Sequence, residues 1–173
     1  MTARRTIRTK PRNGLAIRDV LATALLSELC SPSDEFWLVS GWVSDVVVID
    51  NGTGQFDAVL GVDPPSDMTL SAVLGELSRR GTEIHVAVRE VDHNEVFVQR
   101  LRRSAVNTSL HLYASEYLHE KLLVGGDWLL TGSMNFTWNG TQVNEESMEL
   151  QLDQEEAARH RLELRTRWIG DLT

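Results

Sequence analysis

The sequence predicts an α/β domain in which a mixed β-sheet is flanked by helices, and three observations point there. Short apolar or alternating runs alternate along the chain with stretches of helical period. A Gly125-Gly126-Asp127 turn between two apolar runs calls for an antiparallel pair. The 173 residues, 42% of them hydrophobic, suit one core and leave little room for another.

Residues 1–14 read as a polar arm and 15–173 as the folded domain. The arm carries Arg4, Arg5, Arg8, Lys10 and Arg12 with no acid among them, and it ends at Pro11 and Asn13-Gly14. Such a run is either a solvated tail or a segment that touches phosphates. Over 15–30, Ile17, Val20, Leu21, Ala24, Leu25 and Leu29 recur at helical spacing, and Ser31-Pro32-Ser33-Asp34 ends the helix. Residues 36–40 (FWLVS) read as a strand and 45–50 as a second β-rich run, closed by a turn at 51–54. A helix over 70–80 buries Leu70, Val73, Leu74 and Leu77, and Gly81 stops it. A strand at 83–89, a helix at 94–104 with a basic end, and a strand at 110–113 follow. Residues 118–124 and 128–131 form a hairpin, 147–152 a further strand, and 155–169 a closing helix rich in Arg.

The bulk numbers exclude some classes. A net charge of −8 argues against a protein that holds nucleic acid by bulk electrostatics. The single cysteine, Cys30, allows no internal disulfide and fits a reducing compartment; at the end of an apolar helix it is expected to be buried packing. No signal peptide is visible, and Arg18, Asp19 and Glu28 make 16–30 an amphipathic helix rather than a membrane span, so a cytoplasmic location is expected. No carboxylate or histidine cluster suggests a metal site, and no cofactor is expected.

The chemistry lies in His119-Glu120-Lys121 followed by Gly132-Ser133-Met134-Asn135. In a strand, residues two apart share a face, so His119 projects with Lys121 and Ser133 with Asn135. One hairpin then offers an imidazole, an ammonium, a hydroxyl and a carboxamide to one small volume. That set suits a phosphodiester: the imidazole attacks phosphorus, and the ammonium and carboxamide bind the non-bridging oxygens. Gly132 lets backbone approach a phosphate closely. The chain has fifteen arginines but only two lysines, Lys10 and Lys121. Where it otherwise uses Arg, a Lys in an apolar strand asks for a compact point charge.

These residues resemble the HxK…GSxN signature of the phospholipase D superfamily. The resemblance covers about 36–152 and is most specific in LHEKLLVGGDWLLTGSMNFT. It implies a phospholipase D-like fold, a phosphohistidine on His119, and phosphate binding by Lys121 and Asn135. Asn144-Glu145-Glu146 resembles the carboxylate setting of single-motif nucleases, making Glu146 the residue that orients the histidine. The motif departs from the family in one respect: Gly126 stands where an Asp is expected and the turn is one residue shorter, which puts the role of Asp127 in doubt. One motif supplies one histidine, so the resemblance implies a twofold homodimer with a shared site. More finely, the run LVSGWVSDVVVIDNGTGQF, followed by LHEK, GSMNFT, Gly140 and Asn144-x-Glu146, is similar to phospholipase D-like proteins of bacterial 7-deazaguanine DNA-modification clusters, a setting of DNA modification, restriction or defence with partner proteins to match.

Other residues carry weaker expectations. Ser40, Ser44 and Trp42 follow a strand end where ligand clefts open, and Trp42 or Trp138 could stack on a base. The other tryptophans and His85 read as packing, and His93, His111 and His160 receive no role. Function is expected to be a metal-independent nuclease acting on DNA. The alternatives are a lipid phosphodiesterase or phosphatidyltransferase, and a catalytically quiet DNA-binding subunit that docks through the phosphate pocket.

Overall fold

The computed structural model describes residues 3–8, 17–142 and 145–170. Lys10, Arg12, Asn13, Gly14 and Asn144 lie outside them. The main sheet has seven strands in the order β1-β9-β8-β7-β2-β5-β6. These are β1 (Ala3–Arg8), β2 (Glu35–Ser40), β5 (Glu83–Arg89), β6 (Leu110–Ser115), β7 (Lys121–Val124), β8 (Trp128–Gly132) and β9 (Ser147–Leu152). A separate two-stranded ribbon pairs β3 (Val47–Asp50) with β4 (Asp67–Thr69). The helices are α1 (Ile17–Cys30), α2 (Asp57–Leu60), α3 (Leu70–Arg79), α4 (Glu95–Ser104), α5 (Trp138–Gln142) and α6 (Gln154–Trp168).

Strand β2 runs parallel to β5 and antiparallel to β7, and every residue in it is buried. A central strand covered on both faces accounts for the unbroken apolar run FWLV. Alternation then sorts the core into two layers. Phe36 and Leu38 of β2, with Ile84 and Val86 of β5, pack with Leu25, Leu74 and Phe97 from α1, α3 and α4. Trp37, Val39, Leu122, Val124 and Leu129 face the other way, onto Ala157 and Leu164 of α6. The sheet is therefore a middle layer between three helices and one, with hydrophobic contact on both sides.

Local chemistry sets the helix ends. Thr69 Oγ1 caps α3 by accepting from Ala72 N, and Gly81 follows it at φ +98°. The Asp153 carboxylate accepts from the amides of Glu155 (3.0 Å) and Glu156 (3.2 Å) at the start of α6. Arg165 and Arg167 lie in the last turn of α6, complementing its dipole.

Three expectations change. Residues 3–8 do not form a polar arm: Arg4, Arg5 and Arg8 belong to edge strand β1, which pairs antiparallel with β9 and buries Ile7. Cys30 is exposed, because the buried stripe of α1 ends at Leu29. Strand β7 begins at Lys121 and β8 ends at Gly132, so His119, Ser133 and Asn135 flank the hairpin's ladder instead of standing in it.

Candidate active site

The site forms where four strands end together. Lys121 opens β7 opposite Ser40, the last residue of β2. On the other side of β7, β8 closes at Gly132, in register with Met148 of β9. Both halves of the motif thus lie at one edge of the sheet although a hairpin separates them.

His119 is held from several directions without standing in a strand. Leu118, just before it, is 1% exposed in the α6 layer. Glu120, just after it, accepts from Arg167 Nη1 of α6 at 2.9 Å. The Lys121 ammonium donates to the His119 carbonyl. Gly41 completes the support: a Cβ there would lie 2.8 Å from the Leu118 carbonyl oxygen, so only glycine admits this backbone crossing. Between these anchors the His119 side chain is exposed and Lys121 half-buried.

The second half is pinned in a similar way. Ser133 N donates to Ser147 O at 3.0 Å, and Ser133 Oγ accepts from Ser147 N at 3.1 Å while donating to the Glu146 carboxylate. The close approach that Gly132 permits is to β9, since a Cβ there would sit 2.2 Å from Ser147 O. Asn135 Oδ1 accepts from Trp42 N at 3.4 Å, and the next residue joins the loop after β2 through Ser44 N to Phe136 O at 2.8 Å. Gly140 packs on the Asn135 carbonyl, where a Cβ would intrude to 2.2 Å.

Of the residues expected in the site, Lys121, Ser40, Trp42 and Asn135 are linked directly through β2 and its following loop, and Ser133 is linked to Glu146. Ser40 is fully buried and donates its hydroxyl to Trp42 O at 2.7 Å, so it braces the loop. Asp127 lies at the hairpin tip, the full length of β7 from Lys121, where its carbonyl accepts from Asp153 N at 2.8 Å. The shortened turn is thus remote from His119. Glu149, in register with Thr131, pairs with Arg4 at 2.7 Å.

Sequence reasoning missed several supports. Asn94 is 1% exposed; its amide donates to Gly41 O (3.0 Å) and Arg89 O (2.8 Å), and its oxygen accepts from Val43 N (2.8 Å). It welds the loops after β2 and β5. His93, to which no role was assigned, meets Ser44 Oγ at 3.0 Å beside a cleft of about 640 Å³ that Asn135 also lines. Parallel pairing of β2 and β5 brings those two loops to one sheet end, and that pairing was the available signal. The Arg residues of α6 are largely engaged: Arg161 reaches the hairpin carbonyls, and Arg165 the buried Glu35 carboxylate.

The arrangement brings an exposed histidine, whose backbone carbonyl accepts from the Lys121 ammonium, to the same end of the sheet as the Ser133 hydroxyl and the Asn135 carboxamide. Among the described residues no group of three or more His, Cys, Asp or Glu side chains gathers as a metal site. A mixed sheet carrying these two segments at one end defines a phospholipase D-type domain. The family model described as "Cardiolipin synthase, PLD-like domain" matches residues 49–168, and the chain belongs to this phospholipase D-like family. Its fold is similar to that of Nuc, a phospholipase D family member from Salmonella typhimurium: 15% identity, 94% of this chain and 91% of that one, TM-score 0.62. NucT from Helicobacter pylori aligns at 11% identity over 96% and 95% of the chains, with a TM-score of 0.59. TrmBL2, an archaeal chromatin protein, aligns at 11% identity over 95% of this chain and 51% of that one, with a TM-score of 0.57. At these identities the likeness is one of fold. No curated protein sequence matches the chain. Among the described residues no helix is long and apolar enough to cross a membrane.

Proposed function

We propose that the protein is a metal-independent phosphodiesterase acting on DNA, with His119 as its nucleophile. An imidazole nitrogen of His119 attacks phosphorus, and the P–O bond to the leaving group breaks. The departing alkoxide takes a proton from His119 of a second copy of the chain. Water then gives a proton to the now neutral His119 of the second copy as its oxygen attacks the phosphohistidine; the P–N bond breaks, and both imidazoles return to their starting states. Lys121 and Asn135 bind the non-bridging oxygens, and Ser133 is a further donor at the same edge. Glu146 is a positioning residue, acting on the motif through Ser133.

The observation that carries this reading is the joint anchoring of the two motif segments. Asn135 and Lys121 are both tied to the end of β2, one through Trp42 and the other through the register with Ser40. Preorganised donors around an exposed nucleophile are what phosphoryl transfer requires. The twofold dimer follows from the chemistry: in-line displacement needs an acid opposite the nucleophile, and each chain offers one motif histidine. The setting in DNA modification or restriction rests on the resemblance of residues 38–56 together with the motif segments at 118–121, 132–137, Gly140 and 144–146.

The test is hydrolysis of DNA and of a model diester in EDTA, comparing wild type with His119→Ala, beside the solution mass. EDTA-resistant turnover by a dimer, lost in the variant, supports the reading. A folded wild type without turnover on any diester overturns it. One further reading is favoured by the fold shared with a chromatin protein whose described property is DNA binding. A quiet DNA-docking subunit would bind DNA without turnover, survive His119→Ala and fail in Lys121→Ala.

A further inference from the structure

The cleft beside Asn135 is not needed for the phosphate itself, and its composition is unlike the rest of the sheet edge. It holds about 640 Å³ and is lined by Trp42, Ser44, His93, Asn135, Trp138 and Asn139 among others. The volume lies within the ~300–1,000 Å³ usual for small-ligand sites. Trp42 is 37% exposed and Trp138 62%, whereas Trp37 and Trp128 are buried. Large aromatic rings left open to water beside a phosphate-binding carboxamide need an explanation.

The walls are held firmly. Val43 bridges Phe136, Ser44 N donates to Phe136 O at 2.8 Å, and Ser44 Oγ meets His93 Nε2 at 3.0 Å. The Arg89 guanidinium sits over the Trp42 ring, 5.6 Å from its centroid, while its Nε donates to Glu116 O at 2.9 Å. The cation is thereby fixed against the indole. Ser44, His93 and Asn139 line the same cleft as the two tryptophans, a mixture of polar and aromatic residues that suits a flat heteroaromatic ring with an edge of donors and acceptors.

We propose that this cleft is a nucleobase subsite, taking an unpaired base of a single strand whose phosphate is held at Lys121 and Asn135. The inference rests on the reading of Asn135 as a phosphate ligand and deepens it by naming the substrate class. Asn135 lines the cleft, so a base seated there belongs to a nucleotide adjoining the bound phosphate. A paired base in a duplex is stacked between its neighbours and cannot enter. Overall charge points the same way: at −8 the chain repels a polyanion at long range, so affinity must come from short-range contacts. Base–aromatic stacking supplies such a contact and tolerates any base sequence.

The test separates binding from turnover. Fluorescence anisotropy with the His119→Ala protein compares labelled oligothymidylate with an abasic strand of equal length at fixed ionic strength. The base-bearing strand is expected to bind about tenfold more tightly, the lower range of stacking on an aromatic side chain. That preference should fall to near unity in His119→Ala carrying Trp42→Ala and Trp138→Ala, with circular dichroism confirming the fold. Equal binding of the two strands, binding of neither, or a preference that survives both substitutions overturns the subsite. So does a fall in solution mass caused by Trp138→Ala alone with the preference intact, since the rings would then be covered by a second copy of the chain. Base-dependent binding in a wild type that hydrolyses no diester keeps the subsite and removes the phosphodiesterase.

Discussion

Substituting Gly41 by Ala probes how the fold aims His119. The glycine is buried against the strand-end crossing, where an added Cβ would lie 2.8 Å from the Leu118 carbonyl oxygen and 3.8 Å from the His119 Cα. Ordinary van der Waals contact begins at 3.4 Å, so backbone must yield by about 0.6 Å. The atom struck is backbone, immediately before His119, and it cannot swing away as a side-chain tip would. Overpacking of this kind costs about 1–3 kcal/mol, which at this chain length lowers Tm by roughly 2–4 °C per kcal/mol. Activity should suffer more, because a misplacement of ~1 Å can cost ~100-fold in rate. For the smaller shift, kcat is expected to fall about tenfold. Gly81→Ala is the control: at φ +98° it strains the end of α3 by roughly 1 kcal/mol, yet nothing lies within 4 Å of the new Cβ. Steady-state hydrolysis and thermal unfolding of both variants give the answer. If Gly41→Ala keeps wild-type kcat while losing stability, the Gly41–Leu118 crossing does not position His119.

Two further outcomes follow from buried groups. Glu28 is 3% exposed and accepts from Trp128 Nε1 at 2.8 Å and Ser33 N at 2.9 Å, so Glu28→Ala strands both donors. A loss of about 2–4 kcal/mol is expected in denaturant unfolding, with Glu28→Gln losing roughly half as much because an acceptor remains; equal losses would disprove the hydrogen-bond account. Burial, and then the neighbouring charge of His111, hold the His85 imidazole down to about 4. Between that value and the ordinary 6.5 the unfolded chain binds the extra proton. The stabilisation is therefore complete above pH 6.5 and lost as pH falls toward 4, by at most about 3 kcal/mol. Urea midpoints measured across that window should fall with pH in wild type and flatten in His85→Gln; an unchanged slope in the variant would assign the effect elsewhere.

The sequence made the centre of the molecule readable and the margins obscure, for physical reasons. Strand β2 and helix α3 carry strong patterns because both bury large apolar side chains, and both emerge nearly where their periodicity placed them. Strand β1 was hidden because an edge strand shows mostly charge, and only Ile7 of its six residues is buried. The hairpin was correct in outline, but its ladder starts two residues after His119 because its partner β2 ends at Ser40. Spacing and resemblance marked His119, Lys121, Ser133 and Asn135 as candidates. What braces them came only with the fold: Asn94 reaches Gly41 across 53 positions, and Arg167 reaches Glu120 across 47. Such contacts leave no local signature. The position of Asp127 is of the same kind: the length of β7 separates the hairpin tip from Lys121.

The central claim is that His119 forms a bond to phosphorus. Single-turnover reactions with a diester, quenched in alkaline denaturant and digested with trypsin, isolate residues 104–121 as one peptide containing His111 and His119. The account predicts an acid-labile, alkali-stable phosphorus adduct on that peptide, localised to His119 by fragmentation and missing in His119→Ala. Turnover with no adduct at any quench time, or an adduct on His111 or another residue, would contradict it.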